Sequence, residues 1–288
     1  IVKNLDLKKN SVLNQDLKPI LELSLTHLDP KKGGYRGAPK FPSFNLYETL
    51  LYFYNTSNDK KYLDPVELIL KQLCSKGIYD HVEGGIARYT VDEDWIIPHF
   101  EKMLYDNGFL AKLFLEMFQA TKQEIYREVA EQIFSWIERE MTSKDGTFFS
   151  SQDADTDGKE GTYYTWELRD VLNFLGPKHA KVFSSAYGMT PKGQLDGRNV
   201  LYLKMSVESL AEAEKIPIFE ADHILKKGKE TLFREREKRS RPATDEKIIT
   251  SWNGLMITAL ATGHSVLADE KYLKAAHRCA EFVWAKQW

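Results

Sequence analysis

The strongest constraint on this chain is a repeated pairing of helical segments, in which a nearly all-apolar helix is followed by one carrying a single apolar stripe. The clearest case starts at Phe109 (with Leu110, Leu113, Phe114, Met117 and Phe118) and continues into residues 124–141, where charged side chains interrupt the apolar ones at helical spacing. A helix apolar on every side must be buried, whereas its partner needs cover along one stripe only. Residues 44–56 and 63–76 repeat the arrangement, as do 251–267 and 271–286, and an amphipathic helix near 16–28 precedes them. Short connections make successive helices antiparallel hairpins. Hairpins of unequal polarity set side by side predict an all-α toroid, with apolar inner and amphipathic outer helices. The competing arrangement is a HEAT-like solenoid, against which the long, chemically loaded loops argue.

Residues 167–240 are less regular. They predict short helices at Glu167–Phe174 and His179–Ala186 and a longer one over Glu220–Arg239. Two β-prone stretches, 146–150 and 162–166, flank an acidic segment and predict a small β-hairpin in one loop. The basic run Arg234–Arg241 alternates with Glu235 and Glu237, which predicts a solvated helical face and no nucleic-acid patch. With 42% hydrophobic and 28% charged residues in 288, the chain has material for a sizeable core. A net charge of −2 gives no global attraction to nucleic acid or to an anionic membrane surface. No stretch approaches the roughly 20 apolar residues that a bilayer span needs. Cys74 and Cys279, each within an apolar helical pattern, are expected as buried free thiols, which suits a reducing, cytoplasmic setting.

Titratable residues gather just ahead of the apolar helices. In the run Trp95-Ile96-Ile97-Pro98-His99-Phe100-Glu101-Lys102-Met103-Leu104-Tyr105-Asp106-Asn107, Pro98 predicts a helix start near His99. His99, Lys102, Met103 and Asp106 would then share a face, with Glu101 meeting Tyr105. The segment Asp153-Ala154-Asp155-Thr156-Asp157-Gly158 opens like a calcium loop, but Tyr164 stands where a bidentate Glu belongs, so no metal is expected. Phosphate-loop, nucleophile-elbow, zinc-helix and dinucleotide-binding signatures are missing, and no cofactor is expected.

Together with Gly84-Gly85-Ile86-Ala87-Arg88-Tyr89-Thr90-Val91-Asp92, that run resembles the bacterial and animal proteins related to spermatogenesis-associated protein 20. Three further segments match in order: Gly33-Gly34-Tyr35-Arg36-Gly37-Ala38-Pro39-Lys40-Phe41-Pro42; Asp153-Ala154-Asp155 with Glu160-Gly161; and Arg241-Pro242 through Trp252-Asn253-Gly254. The resemblance implies a partial (α/α)6 six-hairpin toroid of the sugar-epimerase type over residues 1–288. It also implies that the chain is a middle piece, lacking an N-terminal thioredoxin-like domain and C-terminal hairpins. The sequence departs from the family pattern at His81 (usually Gln), Glu83 (Gly), Ile86-Ala87 (often Phe-His), Ser151 (Ala), Gln152 (often Glu) and Glu246 (Asp).

The function this resemblance implies is carbohydrate processing by acid/base chemistry of the sugar 2-epimerase or isomerase kind, with glycoside hydrolysis less favoured. Such chemistry needs one base and one acid near neutral pH, and imidazole in general suits that range. His99 is the expected base, oriented by Asp106 or Glu101, with Asp153 or Asp155 as the opposing group. Arg88 is expected as a clamp, Trp95 and Trp252 as stacking surfaces, and His81, Tyr105, Lys247 and Asn253 as further substrate contacts. The alternative is a non-catalytic helical module that binds a ligand or protein and serves the attached thioredoxin-like domain.

Overall fold

In the computed structural model, which describes residues 10–287, the predicted hairpins form. Helices α1 (Asn10–His27), α2 (Phe44–Ser57) and α3 (Lys60–Ser75) are followed by strands β1 (Tyr89–Thr90), β2 (Pro98–His99) and β3 (Lys102–Met103). Then come α4 (Leu104–Thr121), α5 (Glu124–Glu140), β4 (Ser151–Gln152), β5 (Asp155–Thr156), β6 (Lys159–Glu160) and β7 (Trp166–Glu167). The remainder is α6 (Leu168–Ala186), β8 (Arg198–Asn199), α7 (Val207–Glu214), α8 (Ile218–Arg236), β9 (Thr244–Asp245), α9 (Thr250–Leu267) and α10 (Glu270–Lys286).

Polarity sorts these helices into layers. α4 buries Leu104, Leu110, Ala111, Leu113, Phe114, Leu115 and Met117 around most of its circumference and lies between α2 and α9. Its partner α5 buries a single stripe, including Tyr126, Val129, Ile133, Trp136 and Ile137, and packs on α4 from outside. α3 covers α2 and α10 covers α9 in the same way, so α2, α4 and α9 are the inner helices. One core runs through all three hairpins, and Cys74 and Cys279 are both buried in it.

The segment between β7 and β9 builds a second core of its own, from Trp166, Val171, Phe183, Leu210, Ile224 and Leu232. Within α6 the backbone breaks at Gly176 (φ 73°, ψ 161°), followed by Pro177, so the two short helices expected there are present. α7 was not anticipated; it is a short helix whose start is capped by Ser206, which accepts from the backbone N–H of Ser209.

Two expectations are corrected. The helix does not begin near His99: Pro98–His99 pairs antiparallel with Tyr89–Thr90, Lys102–Met103 pairs with Ser151–Gln152, and α4 begins only at Leu104. The sheet claims backbone groups that a helical turn would have needed. Pro98, lacking an N–H, sits on β2, which among the described residues pairs with β1 and with no other strand. The β-hairpin is present but displaced. Stretches 146–150 and 162–166 do not pair with each other. The acidic segment itself forms the hairpin, Asp155–Thr156 against Lys159–Glu160, turning through Asp157 (φ 55°) and Gly158 (φ 74°) as two-residue hairpin turns require.

Candidate functional site

Bridges between loops distant in sequence bring the N-terminal ends of the inner helices to one end of the molecule. Lys40, ahead of α2, exchanges both backbone hydrogen bonds with Thr90 at 2.9 Å. Strand β1 pairs with β2, and β3, β4 and β9 form a three-stranded sheet that reaches the start of α9. Strand alternation then sorts the side chains. Lys102 and Gln152, which pair across β3 and β4, point into the protein and are 2% and 3% exposed. Extending that register by one residue sets Asp153 opposite Glu101, both on the outward face; Asp153 N–H also donates to the Ala243 carbonyl at 2.8 Å.

On this face His99 stacks on Tyr89 (centroids 5.1 Å apart, planes at 29°), and Tyr89 stacks on Phe41 at 4.8 Å. The His99 Nδ1 lies 2.7 Å from the Glu160 carboxylate, and its Nε2 lies 3.9 Å from Glu101. Glu101 in turn accepts from Arg88 Nη1 at 3.4 Å. The carboxylate against His99 is therefore Glu160, a partner not anticipated, while Asp106 interacts with Arg88 and Tyr105 instead of orienting the imidazole.

Asp106 is the most perturbed acid of the cluster. It is 3% exposed, and its Oδ2 has no hydrogen-bond partner among the described residues. Burial pushes its pKa up to about 8; Arg88 opposes the rise, Glu101 adds to it, and a hydrogen bond with Tyr105 opposes it again. Tyr105 is raised as well, by burial first and then by Asp106. It meets Trp252, in the first turn of α9, edge-on at 4.8 Å.

Several expected contacts lie elsewhere. Trp95 is fully buried; its indole N–H donates to the Lys32 carbonyl at 2.8 Å and its ring lies under Lys40, so it presents no stacking surface. His81 is also buried, with Nε2 3.1 Å from the Lys76 carbonyl, and burial pushes its pKa down to about 4. Asn253 is a backbone clamp. Its side chain accepts from Phe148 N–H at 2.8 Å and donates to the Phe148 carbonyl at 2.9 Å. Asn107 clamps Ile86 in the same way, at 2.8 and 2.9 Å, so each Asn-Gly near an inner-helix start ties that helix to a preceding loop. Lys247 is exposed and pairs with Asp245 at 2.7 Å. Asp153 accepts from the Asp155 backbone N–H at 3.2 Å, forming an Asx turn, and both side chains are exposed.

Beneath the sheet lies a buried charge cluster that sequence spacing did not reveal. Arg236 Nη1 donates to Asp80 at 2.7 Å and to Glu83 at 3.0 Å, and Lys102 Nζ donates to Asp80 at 2.9 Å. Tyr163 donates to Glu83 at 3.0 Å, and Tyr164 donates to Gln152 at 3.0 Å. Burial works against the Asp80 charge, but Arg236 and Lys102 outweigh it and hold the carboxyl well below its usual range. The solvated face expected over Arg234–Arg241 is thus corrected in part: Arg234, Glu237, Lys238 and Arg241 are exposed, but Arg236 is 1% exposed and the Arg239 guanidinium lies 3.8 Å from the Trp166 ring centre. Among the described residues no group of three or more His, Cys, Asp or Glu is placed to hold a metal ion, and no helix is long and apolar enough to cross a membrane.

No family model matches the chain. Human Spermatogenesis-associated protein 20 is 32% identical over 284 aligned residues, covering 88% of this chain and 36% of that protein. An uncharacterised Caenorhabditis elegans protein is 32% identical over 295 residues, covering 92% of this chain and 40% of its own length. The chain therefore spans little more than a third of the length of these relatives. Among solved structures, a glycoside hydrolase family 76 mannosidase of Bacteroides thetaiotaomicron superposes with a TM-score of 0.50 at 12% identity, over 87% of this chain and 45% of that one. That likeness concerns the fold. Over nearly nine-tenths of its length the chain is a homologue of the spermatogenesis-associated protein 20 proteins, and its fold is the all-α hairpin toroid that the resemblance implied.

Proposed function

We propose that the polar face ahead of α2, α4 and α9 is a carbohydrate-processing site that moves protons by acid/base chemistry, as in sugar 2-epimerisation. The observation that carries this reading is the placement of Asp106, a buried carboxyl whose pKa burial raises to about 8, next to Arg88, which reaches the half-buried imidazole of His99 through Glu101. His99 Nε2 removes the proton from the carbon next to a sugar carbonyl. Asp106 supplies a proton to the carbonyl oxygen, the enediol so formed rotates within the site, and the reverse transfers then return hydrogen to the other face of the carbon and the oxygen-bound proton to Asp106. Arg88 and the Glu101/Asp153 pair bind hydroxyls, and Trp252 with Tyr105 offers apolar ring surface. The thioredoxin-like domain implied by the resemblance is, on this reading, a separate unit attached to the toroid.

The test is exchange of the C2 hydrogen of reducing sugars for deuterium in heavy water, followed by NMR with the full-length protein. Exchange is expected for the wild type and is expected to vanish in His99→Ala, with a melting temperature lowered by no more than ~3 °C, since the exposed contacts of His99 are worth about 1 kcal/mol or less. Failure of every reducing sugar to exchange would return the face to the non-catalytic module. A large fall in melting temperature would make His99 structural.

A further inference from the structure

We infer that Glu160 is the residue that positions His99, accepting the hydrogen on Nδ1 and leaving Nε2, on the Glu101 side of the ring, as the lone-pair nitrogen. The inference deepens the reading of His99 as the base and is tested apart from it. A neutral imidazole has a single N–H, and a carboxylate has no proton to offer. A contact of 2.7 Å between Nδ1 and Glu160 Oε1 therefore puts the hydrogen on Nδ1. On the other side of the ring, Glu101 stands 3.9 Å from Nε2, beyond direct hydrogen-bond range, so Nε2 keeps its lone pair free for a substrate atom. Stacking on Tyr89 sets the plane of the ring, and the same Glu160 oxygen accepts the Phe100 backbone N–H at 3.4 Å.

The Glu160 side chain is exposed, but the backbone that carries it is firmly held. Glu160 ends the tight β5–β6 hairpin, and the foot of that hairpin is fixed from several directions. Gly161 N–H donates to the Ala154 carbonyl at 3.0 Å. At φ 72°, Gly161 lies so close to Phe100 that a Cβ there would come within 2.4 Å of the ring, and Phe100 stacks on Tyr164 with planes only 8° apart. The carbonyls of Thr162, Tyr163 and Thr165 all accept from Arg239 Nη1, at 3.2, 2.7 and 2.9 Å, and Arg198 Nη2 reaches the Thr162 carbonyl from β8 at 3.1 Å. Two guanidiniums thus clamp the segment that follows Glu160. The other charged groups at the ring are Glu101 and, through it, Arg88; Tyr89 covers one face.

The experiment is nitrogen-15 NMR of histidine-labelled protein at a pH of about 8, above the ordinary imidazole titration. The signals of His99 are assigned among the seven histidines by difference with His99→Gln. The wild type is expected to show a protonated Nδ1 and an unprotonated Nε2. Glu160→Gln keeps an acceptor oxygen and is expected to keep that pattern, whereas Glu160→Ala is expected to shift His99 toward the Nε2–H form. A wild-type His99 carrying its hydrogen on Nε2 overturns the inference outright, even if Glu160→Ala fails to fold. An unchanged His99 pattern in folded Glu160→Ala overturns it equally. No substrate is involved, so absence of sugar exchange and absence of this tautomer are separate failures.

Discussion

Replacing Asp106 by asparagine removes the most perturbed acid of the cluster while nearly keeping its shape. The native carboxyl is raised from 3.8 to about 8 by burial, so between those values the folded protein holds a proton that the unfolded chain has released. Stability must then fall as pH rises through that window, at a limiting slope of roughly 1.4 kcal/mol per pH unit. The stability that Asp106 confers at pH 4 is thus reduced by about 4 kcal/mol at pH 7, an upper figure because local relaxation admits water to a buried charge. The amide that replaces the carboxyl does not titrate. The difference in unfolding free energy between wild type and Asp106→Asn, measured by urea titration from pH 4 to 8, should therefore move steadily in favour of the variant. Other carboxylates contribute equally to both proteins and cancel. Parallel stability curves would refute the claim that Asp106 keeps its proton, and with it the proposed acid.

Two further variants test the framework beneath the site. Arg236→Met leaves Asp80 and Glu83 buried with fewer partners and should destabilise the protein by about 3–5 kcal/mol in urea unfolding. Because Asp80 is held below its usual range, its contribution is complete above a pH of roughly 4 and is lost on acidification; that acid-side loss should be smaller in Arg236→Met. Asn253→Ala strands the N–H and carbonyl of Phe148 and should cost about 1–3 kcal/mol, read as a shift in the urea midpoint with an unchanged slope.

Helix order was legible because burial at helical spacing is a local property of the chain. A mostly apolar segment such as 109–118 belongs in the interior, and a single-striped one such as 124–140 flanks it, so the hairpins and their layering follow from periodicity. The break between two short helices in α6 was legible too, and Gly176-Pro177 supplies its physical cause. Glu160 was visible only as part of a motif. Its role as the partner of His99 depends on a hairpin folding back across 61 residues. Trp95, His81 and Asn253 looked like site residues because aromatic, imidazole and amide groups serve core and ligand alike, and only burial separates the uses. Pro98 read as a helix start because its competitor was a strand pairing with residues elsewhere in the chain, and Arg236 read as solvated because its carboxylates lie 156 and 153 residues away. Local pattern determined which segments are helices and which faces they bury. Tertiary structure alone decided which polar groups share a face, because β-bridges and buried ion pairs join residues whose separation along the chain carries no periodic signal.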